Sequence, residues 1–157
     1  MKTFFWVVIA LVIIVTTPAS ADTLHLVCLG AGSANRPTSD SVYAYDNNGS
    51  SAWGESIGQR TVPFDDQVNI ELDEASGKIR MPRAMLPPLH GGEGGWFAIK
   101  SIKRSDTEIT GTIQVNIINS PKLRLDRVTG RVAINGKSGD YSGECQPYDP
   151  ASVERKF

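Results

Sequence analysis

The chain predicts an all-β fold: a single small antiparallel barrel or sandwich of seven or eight strands, with a short C-terminal helix. Three observations predict it. Apolar and polar residues alternate, with the two-residue period of a half-buried strand, through much of the chain after residue 22. No stretch of ten or more residues in that part places apolar side chains at helical spacing. The two cysteines, Cys28 and Cys145, both fall on the apolar faces of their strands, near the two ends of the strand-forming region.

The first element is an export signal. Lys2 gives a basic start, Phe4 to Val15 is an unbroken apolar run, and Ala19-Ser20-Ala21 supplies small residues at a cut. A run of twelve apolar residues is shorter than the ~20 that cross a bilayer as a helix. Residues 1–21 are therefore expected to be a cleaved signal peptide. Residues 22–157 then form one domain, periplasmic or extracellular, with no transmembrane segment in the mature chain. Cys28 is not a lipid anchor, because bulky Val27 precedes it where a small residue is needed.

Leu24, Leu26 and Cys28 alternate in an opening strand. Gly30-Ala31-Gly32-Ser33 follows, but it lacks both the third glycine and the helix of a phosphate-binding turn. Asp46 to Gln59 is polar and rich in Gly and Ser, and reads as a long loop carrying Trp53. Val62, Phe64, Val68, Ile70 and Leu72 then form the apolar face of a strand. Asp66 lands on that face, so a bulge or strand break is expected there, with a buried functional acid as the alternative.

Asp73 to Gly77 reads as a hairpin turn into Ile79 and Met81. Pro82 to Gly95 is a second long loop, opening with prolines and closing with four glycines around Glu93. Trp96 to Ile102 is apolar on both faces in its first half, as in a covered central strand; Trp96 itself reads better as a core plug than as a contact residue. Thr107 to Ile117 alternates most cleanly, with Ile109, Ile113, Val115 and Ile117 inward. Leu123, Leu125, Val132 and Ile134 form a hairpin across Asp126 to Gly130. Tyr141, Gly143 and Cys145 alternate in the closing strand. Asp149 as N-cap and Pro150 at the first turn suggest a short helix to Lys156.

Removing 21 residues from 157 leaves 136, enough for one core and too few for two domains. Losing Lys2 leaves 15 basic against 17 acidic residues, with no long block of one sign. That balance argues against a nucleic-acid surface. Outside the cytoplasm, two distant cysteines are expected to form one disulfide, worth roughly 4–5 kcal/mol on a loop of this length.

No complete catalytic set emerges, and no cofactor is implied. His90-Gly91-Gly92 resembles an oxyanion loop, but the Gly-x-Ser-x-Gly elbow that such an enzyme needs is missing. With two histidines, His25 and His90, no metal site is assigned. Lys122, Arg124, Arg127 and Arg131 read as a solvated edge, blunted by charge against strand addition. The candidate binding residues are Trp53, His90, Glu93 and Trp96, on or beside the two long loops, since tryptophans there can stack on sugars or anchor a protein.

The second half, with Gly95-Trp96, Ile109-Thr110-Gly111, Asp126-Arg127, Thr129-Gly130 and Gly143-Glu144-Cys145, resembles uncharacterised small exported β proteins of Gram-negative bacteria. The resemblance covers about fifty residues and carries no catalytic position. It implies export, a β fold and an envelope setting. Three functions follow as expectations. The first is a non-catalytic binding or accessory module with an envelope protein or glycan as partner. The second is an inhibitor of a cell-wall hydrolase or protease, which calls for a rigid protruding loop. The third is an envelope-polymer hydrolase, which requires Asp66 to share a cleft with a second acid or His90.

Overall fold

The computed structural model describes residues 23–152. The expected signal peptide (residues 1–21) and the end of the expected terminal helix (from residue 153) lie outside the described residues. Eight antiparallel strands close into one ring: β1 (Leu24–Tyr45), β2 (Ser51–Leu72), β3 (Gly77–Arg80), β4 (Trp96–Arg104), β5 (Glu108–Ile113), β6 (Lys122–Asp126), β7 (Arg131–Gly136) and β8 (Gly139–Pro147). Each strand pairs with its chain neighbours, and β8 returns to β1 from Ala34↔Gly139 to Leu26↔Pro147.

The alternation in the sequence is the inside and outside of this ring. Cys28, Val68, Ile70, Ile79, Ile99, Ile113, Leu123, Val132 and Ile134 all point inward and are buried in one core. Charged, amide, hydroxyl and small side chains occupy most of the intervening positions, with Leu29 an exposed apolar exception, so the apolar face is the inner one. Tyr141 fills the centre beside Phe64, with ring centroids 6.3 Å apart. Its hydroxyl proton is shared between the carbonyls of Cys28 at 3.0 Å and Asp66 at 3.1 Å. Gly143 makes room for this, since a Cβ there would lie 2.8 Å from the tyrosine oxygen.

Cys28 and Cys145 are direct cross-strand partners and form the disulfide. The bridge therefore fastens the seam where first and last strands meet, rather than crossing the core.

Up-and-down connectivity places successive connections at opposite rims. One rim carries the turns at residues 73–76, 105–107 and 127–130, together with the first and last described residues. Asp73 and Asp126 build two of these turns by accepting hydrogen bonds from nearby hydroxyls and backbone N–H groups. Those bonds hold both carboxyls below the usual aspartate range. The opposite rim carries the β1–β2 connection, the 82–95 loop and the 114–121 loop.

Several expectations need correction. The segment Asp46 to Gln59 is mostly strand; only a tight turn at residues 46–50 interrupts it, with Asp46 accepting from Asn48 and Ser50 N–H. No bulge occurs at Asp66, because the β1–β2 register runs unbroken through Gly30↔Asp66. The bulge lies instead in β4, where the register shifts between Lys100 and Lys103 and Ser101 takes a φ of 53°.

Strand β5 stops at Ile113, and Ile117 is fully exposed. Asn116 is the cause: its carboxamide oxygen accepts from the N–H groups of Ile118 and Asn119, which turns the chain away from the ladder. Trp96 is half-buried on the outer face and not a core plug, with the Lys78 ammonium 5.1 Å from its ring centre. The basic hairpin β6–β7 is no edge, because the ring is closed. There Arg124 pairs with Glu108 at 2.7 Å, and Arg127 donates to the Ser105 carbonyl.

Candidate functional site

Two features stand out on the rim opposite the described chain ends. The first is an arm. Beyond the pair of buried Ala34 and half-buried Val62, β1 and β2 continue together for eleven more pairs, from Asn35↔Thr61 to Tyr45↔Ser51. At the usual strand rise this is about 35 Å of two-stranded ribbon outside the barrel. Every side chain from Asn35 to Thr61 except Thr38 is exposed.

Asn35 anchors the base of the arm: its N–H reaches the Ser138 carbonyl, its amide donates to Lys137 O, and its oxygen accepts from Thr61. Directly opposed residues share a face, so Tyr43 and Trp53 sit side by side, with Tyr45 and Ile57 on the same face. Their exposures run from 63% for Tyr43 to 81% for Ile57. The result is an aromatic and aliphatic stripe along one face of the ribbon; the other face is mostly small or polar, with Val42 its one large apolar side chain.

The free edges of the ribbon are only partly open to another strand. Asn35 N–H points to the β8 side, and Asp46 N–H bonds Ser50 across the tip. Because bonding alternates along an antiparallel pair, the odd-numbered residues of β1 face away from β2, and their β2 partners face away from β1. Pro37 and Pro63 therefore sit where the missing N–H would have faced outward, which blocks strand addition near the base.

The second feature is a groove of about 910 Å³ between β2 and the 82–95 loop. It exists because β3 is short. β3 pairs with β2 only over residues 69–72, so the β2 edge beyond Asn69 is left uncovered where the chain turns into the loop. Met81, Pro82 and Met85 plug the barrel mouth and fix the start of the loop. Gly91 N–H bonds Val115 O, and Asn116 donates to Leu89 O, which ties the loop to its neighbour. Gly92, with a φ of 87°, lies against the Phe97 ring so closely that a Cβ would be 2.6 Å from it.

Asp66, Gln67, Asn69, Arg80, Arg83 and His90 supply the polar wall of the groove, and Leu86, Pro87 and Pro88 an apolar ledge. Asp66 accepts from Gln67 N–H, and Gln67 in turn donates to Asn69. His90 Nδ1 lies 2.8 Å from Gly91 O; a carbonyl only accepts, so Nδ1 is the donor and Nε2 stays free for another contact.

The four candidate binding residues do not surround one pocket. His90 lines the groove, Glu93 forms a bridge with Trp96, Trp96 packs under Lys78 outside, and Trp53 stands on the arm. Arg80 and Arg83 were not singled out from the sequence. Two arginines with no acid nearby in the chain, at the start of a proline-rich loop, were the available signal. Among the described residues no group of three metal-ligating side chains converges. No helix of the described residues is long and apolar enough to cross a membrane. No protein-family model, curated protein or solved structure matches the chain.

Proposed function

We propose that this is an exported, non-catalytic binding or accessory module of the bacterial envelope, and that its arm is the contact surface for a protein partner. The single observation that supports the reading is the stripe of Tyr43, Tyr45, Trp53 and Ile57 on a ribbon with no core of its own. Exposing large apolar side chains costs solubility and contributes nothing to folding here, as expected of a surface that is covered by a partner. Tyrosine and tryptophan are also the side chains that dominate binding hot spots.

The test is capture from an envelope extract with the wild-type chain and Trp53→Ala, with crosslinks mapped on the bait. Partners recovered by the wild type, crosslinked to the arm and lost by the variant support the reading. Equal recovery by both removes the arm from it.

The arm also favours a second reading, an inhibitor whose projecting hairpin enters the cleft of a cell-wall hydrolase or protease. A panel of lysozymes and proteases measures this directly, and no inhibition by the intact chain ends it. Hydrolysis by this chain has weaker support. Asp66 and His90 do line one groove, but glycoside hydrolysis uses two carboxyls flanking the bond, and Asp66 is the one acid among the lining residues.

A further inference from the structure

We propose that the groove between β2 and the 82–95 loop is a binding site for an acidic oligosaccharide, whose carboxylate is held by Arg80 and Arg83. The groove is separate from the arm, so this site does not depend on the reading above. Its charge runs against that of the molecule. The whole chain carries a net charge of -1, whereas the groove sets two guanidinium groups against one carboxylate. Among the described residues neither Arg80 nor Arg83 forms an ion pair, although Arg124 and Lys78 do. A planar guanidinium with unused donors is suited to bidentate grip on a carboxylate.

The rest of the lining suits a sugar. Asp66 keeps one carboxylate oxygen clear of the Gln67 bond to accept from a hydroxyl, and His90 keeps Nε2 free to bond a hydroxyl, which both donates and accepts. The amide nitrogen of Asn69 remains a donor while its oxygen is engaged by Gln67. The ledge of Leu86, Pro87 and Pro88 offers an apolar surface for the C–H face of a ring. A volume of about 910 Å³ lies at the upper end of the range that encloses one small ligand, about 300–1,000 Å³.

An acidic peptide fits this place less well. A peptide lying here would gain its affinity by adding a strand to the β2 edge. That edge offers it little: Gln67 N–H is already bonded to Asp66 and Pro63 has no N–H to give, which leaves Asp65 alone between them as an outward donor.

The experiment is titration calorimetry of the processed chain with a tetramer of galacturonic acid, a neutral glucose tetramer, and a glutamate peptide of equal charge. The expected result is binding of the acidic sugar alone. Arg80→Gln and Arg83→Gln should each weaken it by about tenfold, the weight of one charge-assisted hydrogen bond. Arg131→Gln, the same charge change elsewhere on the barrel, should leave it unaltered, as should Trp53→Ala. These arginines are exposed, and unchanged thermal unfolding of each variant establishes that the fold is intact. No binding of the acidic tetramer, equal binding of the glutamate peptide, or indifference to both arginine substitutions overturns the site. Loss of sugar binding in Trp53→Ala would place the site on the arm instead.

Discussion

Tyr141 shows how one buried polar group can be both necessary and vulnerable. Its ring is 2% exposed, and its hydroxyl answers two backbone carbonyls that belong to different strands. Burial, with the charge of Asp66 adding to it, pushes the phenol from 10.0 up to about 12. The native state thus holds the proton more tightly than the unfolded chain does. Stability from this group is complete below pH 10 and drains away as the pH rises toward about 12. Tyr141→Phe should cost about 1 kcal/mol at neutral pH, the net worth of a hydrogen bond. It should also flatten the loss of stability on going from pH 9 to pH 11.5. Urea unfolding of both chains at the two pH values measures it, and an undiminished alkaline slope in the variant would assign that loss to other groups.

At the scale of elements, the arm is the part that can be removed. Its side chains contribute nothing to the core, and an isolated two-stranded ribbon is marginally stable by itself. Arg36 and Arg60 are partners across a hydrogen-bonded pair, so an Asn-Gly turn can join them in place of residues 37–59. The shortened chain should melt within about 4 °C of the full one, a difference of under 1 kcal/mol. A larger fall, seen by calorimetry, would mean that the arm supports the barrel.

The same property explains what the sequence could reveal. Strands β4 to β8 and the inner half of β2 were legible because one face is buried, and burial writes the two-residue alternation into the chain. The outer parts of β1 and β2 are wet on both faces, so burial selects no alternation there, and Gly54, Gly58 and the serines made the β2 part look like a loop. His90 was found because a glycine run marked its loop. Arg80 and Arg83 were missed because the groove arises from the shortness of β3, a fact of pairing that no local pattern records. Asp66 broke the apolar pattern for a related reason: its position lies at the open mouth, where inward-facing no longer means buried.

For the whole molecule, the disulfide and the closed ring act together. Cys28 and Cys145 are 117 residues apart in the chain yet adjacent across the β1–β8 seam. Replacing both with alanine should lower stability by about 4–5 kcal/mol in the chain-entropy account of a loop this long. Denaturant unfolding of the double variant checks it; a loss below about 1 kcal/mol would mean that β1–β8 pairing alone keeps the ring shut.

The position of the described chain ends has a practical consequence. Thr23 and Ser152 both lie at the rim farthest from the arm and the groove. A biotin, fluorophore or sensor-chip attachment at either one leaves both recognition surfaces pointing into solution. Surface-based screening can therefore interrogate them in a single orientation, without redesigning the handle.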